Sequence, residues 1–228
     1  MVIGNGLIAK AFSKYIQNND IMVFASGVSN SASTKESDYS REFEMLKQYG
    51  QAEARFVYFS TLSVFDSSLE HTAYIKHKKQ IEDYIQNHIE NFVLFRLPIV
   101  VGRSANPHTL MNYIFNKIKN NETITVHTNA CRFLIDVDDV TKYLSPIIES
   151  EMARSEMINV HLNNQIHISR LIELFEEQLG QTVLKEFVEK GSCYTANADM
   201  FLKYIKLTSM DTDKYAAELI RKYYSTTV

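Results

Sequence analysis

The sequence predicts an α/β fold, a parallel sheet with helices on both faces. Two observations carry that prediction. Short apolar runs alternate with stretches of helical periodicity along nearly the whole chain, the pattern of strand–helix–strand units. The run Arg55–Phe59 is also continuously apolar after its first residue, as a strand is when both of its faces are covered.

At the N-terminus a short apolar strand runs into Gly4 and Gly6, then into an amphipathic stretch, Leu7–Ile16, expected to be helical. Ile21–Ala25 is apolar and ends in Ser26-Gly27, a strand leading to a loop. Residues 29–37 are mostly small and polar, a loop that could touch a ligand. Glu42–Tyr49 reads as helix, with Phe43, Leu46 and Tyr49 on one packing face. Ala73–Ile89 is the next helix, and Phe92–Leu97 the next strand, ended by Pro98. Asn106–Lys119 is helical, Thr123–Val126 and Phe133–Val137 are short strands, and Asp138–Glu149 is a helix capped by Asp138 or Asp139. The tail reads as strand Ile158–His161, helix Ser169–Leu179, strand Val183–Val188 and helix Thr212–Tyr224.

Charged residues make up 22% and the formal net charge is -3, so no nucleic-acid or polyanion surface is expected. The 2 cysteines, Cys131 and Cys193, are too few for a disulfide framework and point to a reducing compartment. No apolar run approaches the ~18 residues of a membrane span, and nothing ahead of Gly4 reads as a signal peptide. A cytoplasmic protein without a membrane partner is expected. At 228 residues there is room for one domain with a small lobe.

Three motifs carry chemistry. In Gly4-x-Gly6-x-x-Ala9, Gly4 permits a tight turn, Gly6 lets backbone approach a pyrophosphate, and Ala9 allows close packing of helix on strand. The anion would rest on the helix N-terminus. The second motif is the hydroxyl-rich strand end Tyr58-Phe-Ser-Thr-Leu-Ser-Val64, where Thr61 or Ser63 could hold a reacting oxygen. The third is Tyr74-Ile-Lys-His-Lys78, four residues apart and so on one helix face. An ammonium beside a tyrosine favours the phenolate, which makes the tyrosine a usable general base or acid. With 13 tyrosines in the chain, the spacing recurs by chance, and Tyr113–Lys117 is a second match. The neighbourhood of Thr61 and the glycine loop favours Tyr74, and Tyr113 is expected to pack or meet solvent.

Taken in order, these motifs resemble the extended short-chain dehydrogenase/reductases, the NAD-dependent epimerase/dehydratase family that modifies nucleotide sugars. The likeness runs nearly end to end. It includes the glycine loop, Val23-Phe-Ala-Ser26, Phe59-Ser-Thr-Leu-Ser-Val-Phe-Asp66, Tyr74 with Lys78, Phe95-Arg-Leu-Pro-Ile-Val-Val-Gly102, Arg132-Phe-Leu-Ile-Asp-Val-Asp-Asp-Val140 and Ile158-Asn-Val160. The resemblance implies a Rossmann-type sheet, NAD or NADP as cofactor, a nucleotide-sugar substrate, a role in surface polysaccharide biosynthesis and a possible homodimer. It implies Thr61, Tyr74 and Lys78 as catalytic residues. Cofactor contacts would come from Gly4, Asn5, Gly6, Leu7 and Ile8, from Ala25, Ser26 and Gly27, and from Ser60, Lys78 and Pro98. Ser63, Arg103 and Arg132 would meet the substrate, with Arg132 on its diphosphate, and no metal is expected.

Two departures stand out. The family has roughly sixty residues between the glycine loop and the strand matching Val23–Ser26, where this chain has about fifteen. The fold is therefore expected to be shortened by one βαβ piece, without the residue that usually reads the adenosine ribose. In a rival alignment Ile21–Ala25 is the ordinary second strand, with Ser26 or Ser29 near the ribose. The second departure is a short loop between Asp66 and Tyr74. Residues 1–150 are expected to form the cofactor-binding core. Residues 151–228 would form a substrate lobe, helped by 100–135. His71, His77 and His88 read as surface residues, and His161 and His167 as solvated or core rather than ligating.

Overall fold

The structure, a computed structural model, describes residues 1–31, 33–150 and 153–225. Ala32, inside the loop expected over 29–37, lies outside the described residues, as do 151–152 and 226–228 of the expected substrate lobe.

Val2–Ile3 (β1) passes through the glycines into Leu7–Ala11 (α1), which tightens into a 3₁₀ turn at Ser13–Tyr15. Ile21–Phe24 (β2) leads to Glu36–Tyr49 (α2), and Arg55–Thr61 (β3) to two 3₁₀ turns, Leu62–Phe65 and Ser67–Leu69, and then Ala73–His88 (α3). Phe92–Leu97 (β4) and Ile99–Val101 (β5) are separated by Pro98. Leu110–Lys119 (α4), Ile124–His127 (β6), Cys131–Asp136 (β7), Val137–Glu149 (α5) and Glu156–Asn159 (β8) follow. The chain then runs through Gln165–His167 (β9), Ile168–Leu179 (α6), Lys185–Val188 (β10), Asp199–Ile205 (α7) and Thr212–Tyr224 (α8).

The main sheet is parallel throughout, in the order β1-β2-β3-β4-β8. A complete dinucleotide-binding sheet has the order 3-2-1-4-5-6, with its first strand internal and a reversal of strand order beside it. Here β1 is an edge strand among the described residues, paired to β2 alone. Had Ile21–Ala25 been the ordinary second strand, β1 would lie between it and β3. The order observed instead keeps the 1-4-5-6 run and adds β8 beyond it, so the missing piece is the second and third strands. The sheet consequently has no point at which strand order reverses.

Successive residues of β3 point to opposite faces. Phe56 and Tyr58 pack with Phe24, Leu46 and Ile81 under α2 and α3. Val57 packs with Phe95, Phe12 and Leu144 under α1 and α5. A second core joins Val101, Met111, Ile114, Leu134, Ile166, Phe175 and Ile220, from β5, α4, β7, β9, α6 and α8. The packing therefore does not divide at residue 150. Segments around 99–136 and 165–224 build the lobe together, while β8 returns to the main sheet beside β4.

Four expectations are corrected. Helix α2 starts at Glu36, six residues earlier than its apolar stripe suggests; Glu36 and Asp38 in its first turn suit the positive end of a helix. Asp136, not Asp138 or Asp139, caps α5 by accepting from the Asp138 N–H. His77 is buried at 6% exposure. Cys131 and Cys193, 62 residues apart, are joined by a disulfide. No helix among the described residues is long and apolar enough to cross a membrane.

Candidate active site

Because the strands of the main sheet are parallel, their carboxyl ends share one edge. The expected site residues, Arg103 and Arg132 apart, sit on that edge or in the helices that begin beside it. Gly4 has φ +125°, and a Cβ there would stand 2.4 Å from the Ala25 carbonyl oxygen, so this turn needs glycine. Gly6 has an ordinary φ of -76°, and a Cβ there would meet nothing within 4 Å. That open space, followed by Leu7 and Ile8 with helix-start N–H groups that lack intrahelical partners, suits a phosphate. Helix α1 has only five residues, shorter than expected, so its dipole adds little.

The loop after β2 closes onto the glycine turn. A Gly4 Cβ would also lie 3.1 Å from the Ser26 N. Arg41 of α2 holds this loop, donating to Ser26 Oγ at 3.0 Å and to Ser26 O at 3.2 Å. A Cβ on Gly27 would come within 2.9 Å of Lys78 Nζ and 3.0 Å of Glu42 Oε1. A chain of contacts thus leads from the glycine turn through Ala25, Ser26 and Gly27 to Lys78.

At the end of β3, Thr61 accepts from the Ser63 N–H at 3.0 Å, which fixes the turn. Thr61 is near enough to Tyr74 to favour its ionised form. Tyr74 is 8% exposed. Burial is the largest influence on its phenol and raises its pKa, outweighing the lowering by Lys78 and Thr61, while Glu42 raises it further. Tyr74 therefore keeps its proton at neutral pH.

Glu42, which sequence reasoning missed, adds to this and engages Lys78. Its carboxylate is fully buried and gathers four donors: Lys78 Nζ at 2.9 Å, Tyr58 OH at 2.5 Å, His77 Nε2 at 3.0 Å and the Val28 N–H at 2.7 Å. Burial alone would raise its pKa; Lys78, His77, Tyr58 and Val28 together hold it well below the ordinary 4.5. Lys78, 2% exposed, also donates to Tyr58 OH at 2.8 Å. The ammonium expected to acidify Tyr74 and hold the cofactor ribose is thus matched by a carboxylate. A signal existed in the sequence: Glu42 falls between Tyr39 and Leu46 at helical spacing, an acid on an apolar stripe.

Ser60, expected at the cofactor, donates its hydroxyl to Glu82 Oε1 at 2.6 Å, and Glu82 binds Arg96 at 3.0 and 2.5 Å. Arg132, at the start of β7, makes an ion pair of 3.0 Å with the fully buried Asp66 Oδ2, off the line of a hydrogen bond, and donates to the Cys131 carbonyl at 2.6 Å. Both contacts use Nη1. Arg103 lies two residues past Val101, which pairs with Asp136 at the far end of β7. Four residues of strand, roughly 13 Å, separate the levels of the two arginines. The structure does not bring them together; Arg103 lines a different cleft, of about 930 Å³, with Asn112, Arg221 and Tyr223. Tyr113 and Lys117 lie on α4, where Lys117 pairs with Glu122 at 2.8 Å and Tyr113 packs partly buried against the lobe core.

No protein-family model and no curated protein sequence matches the chain. Solved structures do match its fold. A UDP-glucuronic acid 4-epimerase from Bacillus cereus, in complex with UDP-glucuronic acid and NAD, superposes with a TM-score of 0.72 at 17% identity, over 96% of this chain and 79% of that one. The Bordetella bronchiseptica enzyme WbmH, in complex with NAD+, gives 0.70 at 14% identity, over 97% and 82%. A dTDP-glucose 4,6-dehydratase from Bacillus anthracis, in complex with NAD, gives 0.67 at 14% identity, over 95% and 77%. What the chain shares with these proteins is the Rossmann-type architecture.

Proposed function

We propose that this chain is an NAD(P)-dependent oxidoreductase acting on a nucleotide-activated sugar, and that it works in the reductive direction on a keto-sugar. The observation that carries the reading is the placing of Thr61 beside the buried Tyr74 at the carboxyl edge of the sheet, linked by contiguous contacts to the glycine turn and the open space at Gly6. The nucleotide-sugar epimerases and dehydratase with the same architecture support the substrate class.

The residues fit one half of the cofactor better than the other. Gly6, Leu7 and Ile8 offer space and N–H groups to a pyrophosphate, while the absent second and third strands leave no wall for the adenosine. Bound there, a reduced nicotinamide is a hydride source for a carbonyl carbon. Thr61 orients the carbonyl oxygen, and Tyr74, protonated by virtue of its burial, gives that oxygen its proton. Lys78, paired with Glu42, lowers the phenol's pKa by less than burial raises it. Ser63 and Arg132 would meet the substrate, Arg132 at the diphosphate.

Two mutational outcomes separate binding from folding. Gly6→Val fills open space and should leave the melting temperature unchanged while abolishing NAD(P) binding in calorimetry. Gly4→Ala should instead lower stability by at least about 1–3 kcal/mol, the cost of forcing a non-glycine residue into that backbone region, before counting its clash with Ala25. Arg132→Ala should weaken nucleoside-diphosphate binding and also destabilise the protein, because Asp66 stays buried without its cation. Unchanged diphosphate affinity would remove Arg132 from the substrate site.

The reading is tested by mixing the protein with NADH or NADPH and a panel of nucleotide 4-keto sugars, following loss of the reduced cofactor. Turnover on at least one is expected. A second reading, a non-catalytic subunit that binds nucleotide sugars, is favoured by the Glu42–Lys78 pair and the shortened sheet. It predicts nucleotide-sugar binding with no turnover on any member of the panel.

A further inference from the structure

The disulfide between Cys131 and Cys193 is asymmetric. Cys131 opens β7 and is buried at 2% exposure, whereas Cys193 is exposed on the segment between β10 and α7. Directly across the antiparallel β7–β9 pair from Cys131 stands His167. Its Nδ1 lies 3.4 Å from Cys131 Sγ. The ligand atoms of Cys131, His167 and Cys193 all lie within 4.8 Å of one another. The 2 cysteines of the chain are both in this bridge, so it belongs to no larger framework of the kind that stabilises secreted domains.

We infer that Cys131, Cys193 and His167 form a thiol–disulfide exchange site for low-molecular-weight thiols of the glutathione class. An incoming thiolate attacks the sulfur of the exposed Cys193. A new S–S bond forms to Cys193 as the old bond breaks, and Cys131 leaves as a thiolate beside the His167 imidazole, which stabilises it by hydrogen bonding or protonation. A second thiolate attacks the small molecule's sulfur in the mixed disulfide and releases Cys193 as a thiolate. Overall, two small thiols become one small disulfide, and the protein disulfide becomes two thiols. In reverse, Cys193 takes up the small molecule and Cys131 resolves it. A leaving thiol of lower pKa departs faster, which is the use of the histidine.

The exchange is wired to the candidate active site through Asp66. Ser192, next to Cys193, donates to Asp66 Oδ1 at 2.6 Å, and Arg132, next to Cys131, pairs with Oδ2 at 3.0 Å. Tyr194 packs with Phe133 and Leu62, the residue after Thr61. Opening the bridge removes the covalent tie that holds the segment around Ser192–Tyr194 against the turn following β3.

The test uses the native full-length protein in buffers of reduced and oxidised glutathione, with thiols counted by maleimide labelling and mass spectrometry. Reversible conversion between no and two labelled thiols is expected without denaturant, with trypsin cleavage after Lys190 accelerated in the reduced form. Cys131→Ser should trap glutathione on Cys193 as a stable mixed disulfide, whereas Cys193→Ser should leave Cys131 unmodified. His167→Gln should slow reduction on the order of tenfold. A bridge that yields to millimolar glutathione only after unfolding would overturn the proposal in favour of a fixed staple. Uptake of one zinc ion by the reduced protein, with loss of reactivity toward oxidised glutathione, would overturn it in favour of a metal site. An unchanged rate in His167→Gln would overturn the role of the histidine.

Discussion

Glu42→Ala should lower the unfolding free energy by about 3–5 kcal/mol, the usual cost of leaving one member of a buried ion pair without its partner. The expectation follows from the position of Lys78, 2% exposed, with Glu42 as its counter-charge. His77, Tyr58 and the Val28 N–H would lose their acceptor at the same time. Urea unfolding measures the effect. The double change Glu42→Leu with Lys78→Met should recover most of the loss, because two apolar groups leave no buried charge. If the single substitution cost less than about 1 kcal/mol, the pair would not be the buried electrostatic centre that the geometry describes. The pH dependence has a definite sign. Glu42's folded pKa lies below its ordinary 4.5, so its contribution is complete above that value and is lost as pH falls through the folded pKa. Glu42→Gln should therefore lose less stability than the wild type between pH 5 and about 3.

Tyr74→Phe removes only the oxygen that carries the proton. Turnover should fall by about 10²–10⁴, the usual worth of a positioned acid or base, while folding and cofactor binding survive. Tyr113→Phe, on the other Tyr-x-x-x-Lys spacing, should leave turnover within a few-fold, since its lysine is paired with Glu122. Reduction should also be insensitive to pH through neutrality and decline only above the ordinary tyrosine value of 10.0, because burial raises the Tyr74 pKa and the protonated form is the active one. A reductive rate that fell as pH rose from 6 to 9 would mean that Tyr74 loses its proton in that range, with Lys78 freed from Glu42.

Much of this was legible in the residues. Phe92–Leu97 and Thr212–Tyr224 begin and end where the apolar pattern and its breakers place them. The shortened strand order was implied by the family resemblance, with the spacing of about thirty-five residues between Ser26 and Ser60 favouring it over the rival alignment. The short pieces β5, β9 and α7 were not legible. Three residues of strand, or seven of helix, give too little periodicity to separate from a loop. The site was legible as a list of hydroxyls, glycines and a tyrosine, and not as an electrostatic unit. Glu42 lies 36 residues from Lys78, and no local pattern links them; their meeting depends on α2 and α3 covering the same face of the sheet. The Arg132–Asp66 pair and the Cys131–Cys193 bridge escaped for the same reason, being contacts between segments that only the lobe's packing brings together.

Titration calorimetry of the wild type with NAD(H) and NADP(H), up to millimolar concentration, tests the oxidoreductase reading most directly. Binding of at least one of them is expected, weaker than in proteins with a complete sheet because the adenosine half has no wall. A parallel melt should show stabilisation that grows with ligand, reaching about 2.7 kcal/mol at one hundred times the dissociation constant, and Gly6→Val should abolish both signals. No heat and no thermal shift with any of the four nucleotides at millimolar concentration would contradict the assignment and leave the nucleotide-sugar-binding subunit in its place.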